Sequence, residues 1–437
     1  MKQVAMNMGP AGKLSPQEIE VYQQQLQPEI ERVAAARWLG YETKYASVNL
    51  PFDQALIDEV QAVVRDKQKK RVAALIVIGI GGSSLGTKAV HEALNGLYYN
   101  EKTTATKLYF VETVDTQGVA DVLMLVQALL ERGEHILVNL ISKSGSTTET
   151  IANYELFLQL LKSYYPTTWH EQVVVTTDYG SLLWRLAHEQ QLTSLTIPAL
   201  VGGRYSVFSA VGLFPLAFLG VDLQGLVAGA QSMVTAGTQL SLEHNTAALS
   251  AASIVEHYRQ GLTIHDIFLF SVELAAVGSW YRQLVGESLG KSSTTGVEVG
   301  ITPTVSIGSI DLHSVGQLYL GGPKKASTTF VTVQTDHEQC VLPWYPEFES
   351  LVAHIQGKSL SALMDAIIHG TLAAYTHKQL PYLLFQLPEK NAYAIGQLLQ
   401  LKMLEVMYIG HLLAVNPFDQ PHVEKYKVET RKILAHE

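Results

Sequence analysis

Between residues 72 and 197 the chain repeats one pattern: a short apolar run with no inside–outside alternation, then a stretch of helical length. The runs cover 72–80 (VAALIVIGI), 108–112 (LYFVE), 136–141 (ILVNLI), 173–177 (VVVTT) and 195–197. The stretches between them cover 85–95, 116–130, 149–163 and 179–190. A strand without a polar face is buried on both sides, and regular interleaving with helices makes a doubly wound, mostly parallel sheet. Ligands of such sheets sit at the carboxyl ends of the strands. The loops after residues 78 and 141 are therefore the first places to look for function.

A second, less regular α/β region begins near residue 200, with strands expected at 267–271, 329–334 and 382–387. Its helices are expected at 273–284, 313–320 and 359–378, followed by an apolar-striped segment at 391–414 and a charged helix at about 420–435. Ahead of the first sheet, 15–45 reads as polar helix with Pro16 in its first turn. Residues 53–70 read as an amphipathic helix ending in Lys67, Lys69, Lys70 and Arg71, cations that suit a helix C-terminus. The chain thus divides into a helical N-terminal segment (1–70), two α/β domains (71–198 and 199–390) and C-terminal helices (391–437). No low-complexity linker separates them, so 198–203 is a compact hinge rather than a tether. Residues 205–221 carry no charge, but Pro215 and the Ser and Gly residues among them favour a buried core helix over a membrane span.

Composition narrows the function classes. A chain of 437 residues with 47% hydrophobic and 16% charged residues buries a large core and is not disordered. The single cysteine, Cys340, excludes a disulfide framework and a cysteine metal cluster. A net charge of −9 without a dense Lys/Arg field argues against nucleic acid as a partner. Residues 1–14 contain no apolar signal region, so a cytoplasmic location is expected, with no membrane partner. No His-Glu-x-x-His or similar spacing occurs: His91-Glu92 has Asn95 where a second ligand would be needed.

The first apolar run leads into Gly79-Ile-Gly-Gly-Ser-Ser-Leu-Gly86, where glycines let backbone N–H groups approach an anion at a helix start. The rival is a dinucleotide fold with Glu112 as ribose ligand, but Ser84 stands where the third fingerprint glycine belongs. A plain strand-to-helix turn also remains open there. The third run ends in Ser142-Lys-Ser-Gly-Ser-Thr-Thr-Glu149. One hydroxyl suffices for an N-cap, so five around a glycine point to a phosphate held by hydroxyls, free N–H groups and the helix dipole, with an elaborate cap as the alternative. The Walker pattern is absent here, and at Gly286-Glu-Ser-Leu-Gly-Lys-Ser292 it fails by one residue, because Val285 precedes Gly286.

With two anion loops on neighbouring strands, the chain resembles the glucose-6-phosphate isomerase family in its shorter bacterial form. The resemblance spans nearly the whole length and rests on six ordered motifs: 79–86, 142–150, Gly202-Gly-Arg-Tyr-Ser-Val207, Gly286-Glu-Ser-Leu-Gly290, Asp311-Leu-His-Ser-Val-Gly-Gln317, and Asn416-Pro-Phe-Asp-Gln-Pro421 with Lys427 beyond. It implies two doubly wound, parallel-sheet sugar-isomerase (SIS) domains with helical terminal segments. It also implies interconversion of glucose 6-phosphate and fructose 6-phosphate, in glycolysis and gluconeogenesis, with no metal or organic cofactor.

Moving a carbonyl from C1 to C2 needs one base to carry a proton between adjacent carbons, a cation near the enediolate, and groups that open the pyranose ring. The resemblance assigns Glu287 as base, Arg204 as enediolate stabiliser, and His313 and Lys427 to ring opening. It assigns Gly82, Ser83, Ser142, Lys143, Ser144, Thr147 and Gln420 to substrate binding. It further implies a homodimer in which His313 enters the neighbouring subunit's site. Apart from the motifs, Glu287 and Lys427 read as solvated surface residues, Arg204 as a helix-start ion pair and His313 as a structural or exposed histidine. The chain departs from the family at His422 and Tyr426, where glycine is common, and in a longer segment between Lys291 and Asp311. A non-catalytic sugar-phosphate sensor would need the phosphate loops but not Glu287, Arg204, His313 and Lys427 together. A nicotinamide-dependent oxidoreductase is disfavoured by the broken glycine fingerprint.

Overall fold

A computed structural model describes residues 2–102, 106–334 and 340–436. The chain opens with a short strand, β1 (Ala5–Met8), and two helices, α1 (Pro16–Ala36) and α2 (Gln54–Lys67). Pro16 occupies the first turn of α1, where its missing N–H has no intrahelical partner to lose, and Ser15 and Glu18 form a capping box. The first sheet follows: β2 (Val72–Ile78), α3 (Leu85–Asn95), β3 (Lys107–Val111), α4 (Thr116–Glu131), β4 (His135–Ile141), α5 (Thr148–Tyr164), β5 (Val173–Asp178), α6 (Leu182–Glu189) and β6 (Thr193–Ile197). Every residue of β2 is buried, as a run without a polar face requires.

Three helices lead to the second sheet: α7 (Ala210–Phe218), α8 (Leu223–Gly237) and α9 (Thr246–Arg259). The uncharged stretch at 205–221 contains α7, which is buried along almost its whole length. No described helix is long and apolar enough to cross a membrane. Then come β7 (Ile264–Leu269), α10 (Ala275–Leu289), a small ribbon of β8 (Lys291–Ser292) and β9 (Glu298–Val299), β10 (Thr302–Ile307), α11 (Gly316–Gly321), β11 (Ala326–Val333), α12 (Pro346–Glu349), α13 (Leu360–His377) and β12 (Tyr382–Leu387). Two helices close the chain, α14 (Ala392–Leu412) and α15 (Glu424–His436).

The first sheet has the order β3-β2-β4-β5-β6, all parallel. The second has the order β1-β12-β11-β7-β10, parallel except for β1. Counted along the chain, four strands of each sheet run 2-1-3-4. The fifth place is filled by β6 in one and by the antiparallel β1 in the other. Strand order reverses beside β2 and beside β7, so a crevice opens at the carboxyl ends of β2 and β4, where the two serine- and glycine-rich loops lie.

Three expectations need correction. The N-terminal segment is not helical throughout: β1 pairs with β12, Ala5 opposite Gln386 and Met8 opposite Leu383. The second sheet also has a strand, β10, hidden from a sequence reading by Pro303. It is an edge strand, the position in a sheet that tolerates a residue with no N–H. His313 ends a 3-10 turn (Ile310–His313) rather than lying inside a helix, and α11 starts at Gly316.

The second half is fixed around α14, whose Lys402 and Glu405 are both fully buried. Lys402 Nζ lies 2.8 Å from Glu405 Oε2, and Tyr281 of α10 donates to Glu405 Oε1 at 2.9 Å. Ser250 of α9 also donates to Glu405. The Lys402 ammonium sits 4.4 Å from the Phe385 ring centroid and 5.1 Å from that of Tyr281. This network locks the orientation of α10, the helix that carries Glu287. Removing one partner strands a buried charge, so Glu405→Ala is expected to cost about 3–5 kcal/mol in urea unfolding. A loss under about 1 kcal/mol would show that water or another side chain replaces the carboxylate.

Candidate active site

The glycine loop after β2 is shaped by contacts that tolerate no side chain. A Cβ on Gly82 would lie 2.2 Å from the Gly203 carbonyl carbon, and one on Gly79 would lie 3.0 Å from the Ile141 carbonyl oxygen. The first contact lets the 202–204 backbone lie directly against the loop, and it thereby delivers Arg204. Gly81 has φ +61, and its Cα faces Gln283 of α10, whose Nε2 would be 2.8 Å from a Cβ there. Ser83 ends a 3-10 turn (Gly81–Ser83) and is half-buried. Glu112 is not free for a ribose: it accepts from Ser84 Oγ at 2.6 Å and pairs with Lys88 at 3.2 Å.

The hydroxyls after β4 are not a helix cap. Thr147 stands at the N-cap of α5 but makes no side-chain cap bond; its Oγ1 lies 3.0 Å from Ser142 Oγ instead. α3 likewise starts without a side-chain cap. The other helices that follow strands of this sheet are capped normally, α4 by Asp115, α6 by Ser181 and α7 by Ser209. The uncapped helix starts are thus the two at the crevice, where first-turn N–H groups and the positive dipole end stay open to an anion. Gly145, at φ +68, makes the turn; a Cβ there would lie 2.8 Å from the Leu183 backbone nitrogen. Ser144 is exposed, and its Oγ accepts from the Ser146 N–H at 3.3 Å.

Lys143 points away from this loop. Its Nζ donates to the Ala199 carbonyl at 2.5 Å and lies 3.8 Å from Asp178 Oδ2 at the end of β5. Burial pushes the Asp178 carboxyl up to about 6, against the pull of Lys143, and its Oδ1 has no partner.

Arg204 is 2% exposed and spends every N–H it has. Nε donates to Ser288 Oγ at 2.8 Å. Nη1 donates to Glu287 Oε2 at 3.3 Å and Gln420 Oε1 at 2.9 Å. Nη2 donates to the carbonyls of Pro417 at 2.6 Å and Asp419 at 3.0 Å. Glu287 lies in the last turn of α10, and its other oxygen accepts from Gln283 Nε2, one turn earlier, at 3.1 Å. Glu287 remains 30% exposed, so its carboxylate is held from behind and open in front.

Gly82, Arg204, Glu287 and Gln420 are therefore brought together. Ser83, Ser142, Ser144 and Thr147 lie on the adjoining loops. His313 and Lys427 are not brought to Glu287. A Cβ on Gly286 would touch Pro303 at 3.9 Å, near the amino end of β10. His313 follows the carboxyl end of the same strand, and the four steps from Pro303 to Ile307 alone span about 13 Å. It is exposed. Lys427 is paired with Glu424 of its own helix at 2.7 Å, and α15 is exposed along most of its length. Sequence reasoning missed Gln283, although its i−4 spacing from Glu287 on a helix places both on one face. It also missed Ser288 as a ligand of Arg204. Among the described residues no cluster of His, Cys, Asp or Glu is arranged to hold a metal ion.

The family model described as phosphoglucose isomerase matches residues 53–437. A glucose-6-phosphate isomerase of Thermus thermophilus is 36% identical over 392 residues, covering 89% of each chain. In structure, the chain superposes on a glucose-6-phosphate isomerase of Chlamydia trachomatis with a TM-score of 0.84 at 21% identity, covering 100% of this chain and 89% of that one. A tagatose-6-phosphate ketose/aldose isomerase of Escherichia coli shares the fold at a TM-score of 0.50 and 13% identity, covering 86% and 93%.

The raised Asp178 carboxyl has a consequence for stability. Its ionised form is disfavoured in the fold, so the protonated acid is the stabilising one, fully so below the unfolded value and lost as pH rises through about 6. Asp178→Asn should therefore raise the melting temperature at pH 8, with the gain shrinking towards pH 5. Equal melting temperatures of the two proteins at pH 8 would contradict this.

Proposed function

The chain belongs to the phosphoglucose isomerase family, and we propose that this aldose–ketose isomerase interconverts glucose 6-phosphate and fructose 6-phosphate by proton transfer through a cis-enediol. The observation that carries the proposal is the Arg204 guanidinium, which bridges Glu287 and Gln420 beside two uncapped helix starts. A phosphate at those helix starts meets N–H groups and the hydroxyls of Ser142, Ser144 and Thr147, with the backbone of Gly82, Ser83 and Lys143 completing the wall. The sugar then extends towards α10.

Glu287 takes the proton from C2 of the open-chain aldose and returns it to C1. The C1 carbonyl oxygen becomes a hydroxyl and the C2 hydroxyl becomes the carbonyl, so no net proton or electron is gained. Arg204 lies behind the carboxylate with a buried positive charge that stabilises the enediolate oxygens. Its geometry is fixed before substrate arrives, so little reorganisation is needed when charge develops. Gln420 offers its amide nitrogen to the sugar, because its oxygen is already taken by Arg204.

Ring opening is assigned to His313 and Lys427. The separation between His313 and Glu287 within one chain favours a homodimer in which His313 of a second copy completes the site. Lys427 lies on α15, which follows Gln420 after a 3-10 turn (Pro421–Val423), and it acts when that helix is seated against the pocket. The protein is placed in the cytoplasm, at this step of glycolysis and gluconeogenesis.

A coupled assay with glucose-6-phosphate dehydrogenase should record conversion of fructose 6-phosphate in the presence of a chelator. Glu287→Gln should lower kcat by roughly 10²–10⁴-fold while a phosphosugar still binds. Binding without turnover by the unaltered protein would leave a sensor as the better description. Full turnover by Glu287→Gln would remove this glutamate as the base.

Mixing His313→Ala with Glu287→Gln subunits tests the shared site. Heterodimers then contain one site with both intact residues, and activity should return towards half that of the unaltered dimer. No recovery after verified subunit exchange would place His313 in its own subunit's site, or in none.

A further inference from the structure

Lys291 stands at the lysine position of a Walker-like run that fails at Val285, and its surroundings leave no room for a phosphate. It follows α10 by one residue, after Gly290, and its side chain is 7% exposed. The ammonium donates to the Asn416 carbonyl at 2.5 Å, to the Asp419 carbonyl, and to Asp419 Oδ1 at 2.7 Å. An ammonium has three N–H bonds, and all three are in use. The other Asp419 oxygen accepts from Asn416 Nδ2 at 2.6 Å, which closes the loop on itself.

The same loop is gripped from its far side. Arg204 Nη2 donates to the Asp419 carbonyl and to that of Pro417. Two cations, one from each half of the chain's motif set, thus hold the carbonyls of residues 416, 417 and 419, and the next residue is Gln420. The ribbon that begins at Lys291 adds a third attachment, since the Thr294 N–H donates to the Ala414 carbonyl at 2.9 Å. The segment between Lys291 and Asp311 therefore partly braces this loop.

We propose that Lys291 is a positioning residue for the isomerisation: it clamps the 416–420 loop so that the Gln420 amide stays on Arg204 and faces the sugar beside Glu287. The proposal rests on the isomerase reading above, because it acts through Gln420. Burial pulls the Lys291 ammonium below the usual lysine range, opposed by the Asp419 carboxylate. Arg204 and Glu287 are the other charges that face it. The lysine is held there by carbonyls aimed at it, and its role is geometric: it removes the freedom of a polar loop that would otherwise fluctuate next to the reacting carbons.

Steady-state kinetics on Lys291→Met, Lys291→Arg, Asp419→Asn, Gln420→Ala and the double variant Lys291→Met/Gln420→Ala test it. Lys291→Met should lower kcat/KM by roughly 10–100-fold, as small misplacements near reacting atoms do. Lys291→Arg, which can still donate to the carbonyls, should regain most of the loss. Asp419→Asn keeps both backbone contacts and should lose less than Lys291→Met.

The decisive readout is the cycle. If the lysine acts by placing Gln420, the double variant is no slower than Gln420→Ala alone, because a clamp on a missing amide has nothing to place. Lys291→Met within twofold of the unaltered protein, or a double variant whose loss equals the product of the single losses, overturns the proposal. Should Lys291→Met not fold, the cycle of Asp419→Asn with Gln420→Ala asks the same question and is read in the same way. Inactivity of the unaltered protein would strike at the isomerase reading instead.

Discussion

A guanidinium with five N–H groups, almost fully removed from water, needs five acceptors in one plane, and the rest of the site is arranged around where they stand. For Arg204 the acceptors come from two parts of the chain: Ser288 and Glu287 at the end of α10, and the 417–420 loop through the Gln420 side chain and the carbonyls of Pro417 and Asp419. Losing any one would leave a buried charge undersatisfied, at a cost of a few kcal/mol. The requirement therefore joins the first sheet's loop, the second sheet's helix and the C-terminal loop into one rigid corner. It also explains Gly82. Only where Gly82 lacks a side chain can the 202–204 backbone come close enough to carry the arginine inward.

The proposed phosphate site, built from helix starts and hydroxyls, would reconcile a chain of net charge −9 with an anionic substrate. Lys143, the one cation in the hydroxyl loop, is turned towards Ala199 and Asp178, so its contribution to the loop comes through the backbone. The dipole ends of α3 and α5 do not appear in a charge count, and neither do the hydroxyls. What the count does describe is ionised side chains alone.

Most of the first sheet was legible because its strands are buried on both faces, and burial on both faces writes an unambiguous run such as 72–80 into the sequence. The second sheet was less so. Pro303 disguises β10, and β1 (AMNM) is too short to announce itself, since nothing local says that its partner is near the other end of the chain. At the site, the motif residues Glu287, Arg204 and Gln420 lie in one place, but motif matching cannot show which N–H meets which oxygen. Lys291 is the example: in sequence it is only the lysine of a Walker-like run that fails at Val285, and it takes the structure to show its ammonium donating to the Asn416 and Asp419 carbonyls and to the Asp419 carboxylate. Gln283 was within reach of simple helical spacing and was passed over because no motif marked it.

The pairing of β1 with β12 has a consequence for the order of events during synthesis. Asn7 donates to Gln386 across 379 residues of chain. At 5–20 residues per second, the partner emerges roughly 20–80 s after β1 does. β1 is thus placed only after the intervening residues are made, and the first sheet can complete itself while β1 waits. Its brevity and its polar Asn7 suit that delay: a longer apolar strand left unpaired for so long would offer an open edge to any neighbouring chain. The second sheet is in effect sealed at its edge by β1 only after the residues up to β12 have been translated.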